Sequence, residues 1–326
     1  MTEASNLAFG VSLALYLVAM LGYFHYLAYR RPGPLATARG LAYAGLLVHG
    51  LSIALRGLAA GRVPWGNMYE YASVVVFFVV ATYLLVVERR TEIRSLGGFA
   101  LGAGVLVMAT ATLVYVPPGP LVPALESYWL RIHVMAAMIA SALFTLGFVF
   151  TTLYLVQDRR ERQIARRAAT APAPALATVG AGLPHDLESG ADEVEDRVTV
   201  TLGTVEGNGH GPAAVEERAP SRLPEAGVLD RLAYKVTAFA FPIWTFAVIA
   251  GAIWAENAWG RYWAWDPKEV WSFITWVVFA GYLHARATQG WRGRRAAILA
   301  IVGFAALVFN LVVVNTVVVG LHSYAT

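Results

Sequence analysis

Apolar residues run in long stretches along most of the chain, separated by short polar connections that are often rich in arginine. Eight such stretches, at 7–29, 41–60, 72–88, 96–115, 132–156, 234–254, 271–288 and 296–318, each approach the ~20 residues that a helix needs to cross a bilayer. Backbone amides in hydrocarbon must be paired within their own segment, so the pattern predicts helices. The expected fold is all-α: a polytopic transmembrane bundle of eight spans. The first stretch is too long and too aromatic for a signal peptide. It also lacks a basic leader and a small-residue cleavage site, so it is read as a span.

Composition supports this reading. Apolar residues make up 58% of the chain and charged residues only 14%, whereas soluble proteins average about half and about a quarter. The cations are sorted by connection. Arg30, Arg31 and Arg39 follow the first span, and Arg89, Arg90 and Arg94 the third. Arg159, Arg160, Arg162, Arg166 and Arg167 follow the fifth, and Arg286, Arg292, Arg294 and Arg295 the seventh. The alternate connections hold only Arg62, Arg131, Arg261 and Lys268. Arginine-rich connections stay in the cytoplasm, which places both termini outside, in a multi-pass protein of the plasma membrane with its active face extracytoplasmic.

Three regions result: spans one to five at 1–156, a cytoplasmic linker at 157–230, and spans six to eight at 231–326. Arg159–Arg167 reads as a helical extension of span five. From 168 to 227 the linker is rich in Ala, Pro, Gly and Glu without hydrophobic periodicity, and disorder is expected. Val198, Val200 and Leu202 alternate with polar neighbours and allow one short strand there. His185 and His210 in the linker read as surface histidines. The chain has no cysteine, so any thiol chemistry it takes part in must be brought by a partner or substrate.

The connection between spans six and seven is the most informative stretch. Five tryptophans, at 254, 259, 263, 265 and 271, fall in eighteen residues on the outer face. An interfacial aromatic belt is one explanation. A belt does not call for Asp266-Pro267-Lys268-Glu269, nor for such density in Trp259, Tyr262, Trp263 and Trp265. Flat indole faces suit a planar macrocycle, and Arg261 or Lys268 can pair with a carboxylate on it. His133 at the outer mouth of span five and His322 beyond span eight share this face. Together they suggest two imidazoles closing on a metal macrocycle from opposite sides. His25, His49 and His284 lie within spans, nearer the cytoplasmic boundary. An ionisable residue there is a functional candidate, although a neutral histidine can also simply bond a neighbouring helix. Pro64-Trp65-Gly66-Asn67-Met68-Tyr69-Glu70-Tyr71 suggests a packed re-entrant turn beneath the tryptophan loop.

The run Trp259-Gly-Arg-Tyr-Trp-Ala-Trp265-Asp266-Pro-Lys-Glu269 resembles the tryptophan-rich WWD signature of haem-handling membrane proteins. Its continuation from Trp271 to Arg286, with Asn67-Met-Tyr-Glu70 and Gly320-Leu-His322-Ser, resembles the CcsA/ResC branch in particular. The resemblance implies a component of a holocytochrome c synthase. With a CcsB/ResB partner it would export haem b, as substrate, and attach it to the CxxCH cysteines of apocytochrome c, kept reduced by a thioredoxin-like thiol reductant. The resemblance makes His133 and His322 the axial ligands of an outer haem. Trp254, Trp259, Arg261, Tyr262, Trp263, Trp265, Asp266 and Lys268 would surround it, and His284, more weakly His49, would serve an inner haem. No nucleic-acid partner is implied. A haem-delivery protein for a haem chaperone and an electron-transfer cytochrome b are the alternatives.

Overall fold

The computed structural model describes residues 1–91, 93–120, 126–170, 222–318 and 320. Among them the chain is helical throughout, with no strand. The long helices are α1 (Thr2–Tyr29), α2 (Pro32–Ala60), α3 (Met68–Thr91), α4 (Arg94–Val114) and α5 (Tyr128–Thr170), followed by α6 (Ala226–Trp259), α7 (Pro267–Thr288) and α8 (Arg294–Thr316). All but α7 combine the length and hydropathy of a membrane span. The protein is therefore a multi-pass membrane protein. At 22 residues α7 is also long enough, but Trp271, Trp276, His284 and Arg286 lower its hydropathy.

Local chemistry sets the helix ends. α1 closes on Arg30 in the left-handed region, and Pro32 opens α2 after a very short turn, giving an antiparallel hairpin. Asn67 caps α3 by accepting the Glu70 N–H at 2.9 Å. Toward its C-terminal end α3 passes through a π-helical turn at Tyr83–Val87. α5 continues through Arg159–Arg167 to Thr170, as the charge pattern suggests. The possible strand at 198–202 and the histidines at 185 and 210 lie outside the described residues.

In lipid the hydrophobic effect does not drive helices together, and small residues that allow close packing take its place. Gly45 on α2 is one such position: a Cβ there would lie 2.8 Å from the Tyr16 ring of α1. On the other side of the bundle α5 meets α7 through the Phe144 and Phe279 rings, stacked at 3.9 Å. Trp244 of α6 and Leu307 of α8 complete that cluster.

Candidate haem site

The tryptophan loop is built by two helix termini. Gly260, at φ 71°, ends α6, and the Gly260 N–H donates to the Glu256 carbonyl. Asp266 then starts α7 with a capping box. Its carboxylate accepts the Lys268 N–H at 3.0 Å, while Glu269 Oε2 accepts the N–H groups of Asp266 at 3.2 Å and Ala264 at 2.8 Å. Between these anchors Trp265 adopts φ 59°, a left-handed conformation unusual for a bulky residue. Trp265 is 75% exposed. Trp263 meets it edge-on at 5.7 Å and lines a cavity instead.

That cavity has a volume of about 680 Å³, within the range of ~300–1,000 Å³ usual for small-molecule sites. Its walls come from α5, α6, α7, α8 and the turn before α3. Trp254, Tyr262, Trp263 and Lys268 line it, and so does His133. Trp259 backs Trp254, with ring centroids 4.8 Å apart. His133 Nδ1 lies 2.7 Å from the Ala247 carbonyl. A carbonyl only accepts, so Nδ1 is the donor in this contact. The close approach of His133 to α6 depends on Gly251, where a Cβ would meet the ring at 2.7 Å.

The turn at Trp65–Tyr71 is held by a buried carboxylate. Glu70 is 1% exposed and pairs with Arg56 at 3.0 Å and Arg62 at 2.8 Å, while accepting the Gly66 N–H at 2.7 Å. Asn315 of α8 ties this turn to the tryptophan loop. Its amide donates to Met68 Sδ at 2.9 Å, and its oxygen accepts from the Lys268 ammonium. The turn thus packs beside the loop and contributes Trp65, Asn67 and Met68 to the cavity.

The sequence profile of the family described as Cytochrome C assembly protein matches residues 65–322. The chain belongs to that family. It is 38% identical over 300 residues to the cytochrome c biogenesis protein CcsA of Synechococcus elongatus, covering 89% of this chain and 87% of the relative. It is 34% identical to CcsA of Synechocystis sp., covering 94% and 93%. Among solved structures it resembles the cytochrome c haem lyase CcmF, with a TM-score of 0.61 at 15% identity. That similarity covers 95% of this chain but spans only 47% of the neighbour, and it shows a shared fold. The chain is thus a CcsA-type protein of cytochrome c biogenesis.

The predicted site residues of this CcsA-type protein fall into separate groups. His133, Trp254, Tyr262, Trp263 and Lys268 share the cavity. Asp266 is 6% exposed and acts as a helix cap, and Arg261 lies on the surface beside the cavity. His322 is outside the described residues, but Gly320 lies against Asp266: a Cβ built there would be 2.7 Å from Oδ2. His284 is exposed on α7 and does not line the cavity. His49 is fully buried between α1 and α3, with Nδ1 3.4 Å from the Tyr16 hydroxyl and Nε2 2.9 Å from the Ser73 hydroxyl. His25 is half-buried beside Tyr29. Sequence reasoning missed Asn310, Asn315 and Ser272, which line the cavity from α7 and α8. The available signal was two asparagines interrupting an otherwise apolar span.

Proposed function

We propose that the cavity holds haem b, as substrate, at the outer membrane face, and that the chain attaches it to the CxxCH cysteines of apocytochrome c together with a CcsB/ResB-type partner. The observation that carries this reading is His133 on the wall of an aromatic cavity, with its ring oriented by an Nδ1 hydrogen bond to the Ala247 carbonyl. His322 is the second axial ligand in this reading. It follows Gly320 by two residues, a reach of about 7 Å at full extension, and Gly320 adjoins the loop. Trp254, Tyr262 and Trp263 cover the ring, with Trp259 behind them, and Lys268 or Arg261 pairs with a propionate.

Attachment adds a thiol across each vinyl group, so holding the vinyl edge beside the cysteines is the main service the protein gives. The histidine of CxxCH then displaces one protein ligand and frees the product. A thioredoxin-like reductant keeps the cysteines as thiols. His284, exposed on α7, fits an inner haem whose other ligand comes from the partner.

Two outcomes follow. In a host lacking its own attachment system, the chain with its partner yields holocytochrome c from a CxxCH apocytochrome, read as haem stain on a denaturing gel. Haem bound by the chain with no covalent product favours delivery to a chaperone or a cytochrome b instead. Gly251→Ala pushes the His133 ring away and lowers haem retained on purification about 10-fold, in the range of losses seen when the support of a metal ligand is disturbed. Haem content equal to wild type would remove His133 from the site.

A further inference from the structure

α6 runs for 34 residues, about 51 Å at ~1.5 Å per residue, and so outreaches the ~30 Å of hydrocarbon in a bilayer. One end carries the tryptophan loop, whose rings favour headgroup level. About twenty residues back from Trp254, the length of one crossing, the helix reaches Lys235 at the opposite boundary. Its two faces differ. Leu229, Ala233, Ala240, Trp244 and Ala247 are buried in the bundle. On the other side Phe239, Phe246 and Ile249 are exposed and form an apolar stripe toward lipid. Arg231 and Lys235, one turn apart and both exposed, continue that stripe at the end remote from the tryptophans. Arg39, Arg162 and Arg286, toward the same end of the bundle, are each paired with a carboxylate, of Glu88, Asp158 and Asp230 respectively. Arg231 and Lys235 form no such pair among the described residues. Asp230 beside them is committed to Arg286 through two bonds of 2.8 Å. Glu225, at the start of the helix, lies off their row. The Arg231 guanidinium is turned back along the helix toward its start: a Cβ built on Gly227, one turn earlier, would lie 3.5 Å from Nη1. Long cationic side chains turn this way when their stems lie against apolar surface and their heads reach the interface.

We propose that Arg231 and Lys235 hold the headgroup phosphate of an anionic phospholipid, whose acyl chain lies along Phe239, Phe246 and Ile249. Charge complementarity selects this occupant. Two cations a turn apart, without a protein counter-ion, bracket one phosphate at the level where phosphates lie. The apolar stripe beneath them suits a chain and has nothing to offer a free phosphate. A zwitterionic lipid carries its own ammonium beside the phosphate, which offsets the attraction, so net charge decides which lipid stays. The site is far from the haem cavity and does not depend on the attachment reading.

Native mass spectrometry of the full chain in detergent, titrated with phosphatidylglycerol or phosphatidylcholine, tests this. Wild type is expected to bind phosphatidylglycerol about 10-fold more tightly than phosphatidylcholine, the scale set by two cations at an anionic surface. The Arg231→Gln, Lys235→Gln double variant loses that preference. The Arg231→Lys, Lys235→Arg exchange, which keeps both charges, retains it. Both side chains are exposed, so the glutamine variant should unfold at the wild-type midpoint in phosphatidylcholine, which separates a lost site from a lost fold. A preference unchanged in the glutamine variant overturns the proposal. So does a wild type that does not discriminate, since the apolar stripe alone would then account for binding. Phosphatidylglycerol displaced when a partner chain binds would assign the surface to a protein interface, and overturns it as well.

Discussion

Replacing His133 with alanine is expected to reduce holocytochrome formation on the order of 100-fold, at the upper end of the effects reported for disturbed metal sites, with part of the activity restored by added imidazole. Three features place the weight on this residue. It lines the cavity, its Nδ1 is held 2.7 Å from the Ala247 carbonyl, and the absent side chain at Gly251 gives its ring room. Truncation to alanine leaves a hole of imidazole shape beside the proposed iron position, which free imidazole can fill. Rescue separates lost ligation from lost folding, since a misfolded bundle would not respond to a small ligand. Undiminished attachment by the variant, without imidazole, would exclude His133 as a ligand.

The largest effect on stability is expected at Glu70. Its carboxylate sits between Arg56, itself 3% exposed, and Arg62. Removing one partner of a buried ion pair leaves an uncompensated charge and costs about 3–5 kcal/mol. Arg56 is especially subject to that penalty, because its guanidinium packs against both the Tyr69 and Tyr115 rings, at 4.9 and 5.3 Å, and is buried from water. Glu70→Leu should therefore lower the thermal unfolding midpoint in detergent well below that of wild type. It should also loosen the Trp65–Met68 wall of the cavity. Glu70→Gln should fall between the two, since it keeps one of the two acceptor oxygens and loses the charge. An unchanged midpoint in the leucine variant would mean the arginines have another counter-ion.

The bundle was largely legible in the sequence because hydrocarbon enforces helices wherever some twenty apolar residues run together, and the arginine-rich breaks mark their ends. The loop at 259–269 was legible for a different reason: its density of tryptophan has no bulk explanation. Its internal division was not legible. Whether Trp263 or Trp265 lines the cavity depends on one left-handed residue, and neither period nor composition encodes that angle. The role of Asp266 as a helix cap was hidden too, since in the signature it reads simply as one of the residues surrounding the haem. His49 looked like a candidate ligand because it is ionisable within a span. The fold surrounds it with Tyr16, Ser73 and the edges of Phe9 and Phe77. Asn310 and Asn315 reach the cavity only through the packing of α8 on α7, which is tertiary information.

The absorption spectrum of the detergent-purified chain, co-expressed with its partner, tests the central claim most directly when wild type is compared with the His133→Ala, His322→Ala double variant. A bis-imidazole haem spectrum in wild type that is lost or altered in the double variant is the result expected. The same spectrum, retained unchanged in the double variant, would contradict the account and move the haem to His284.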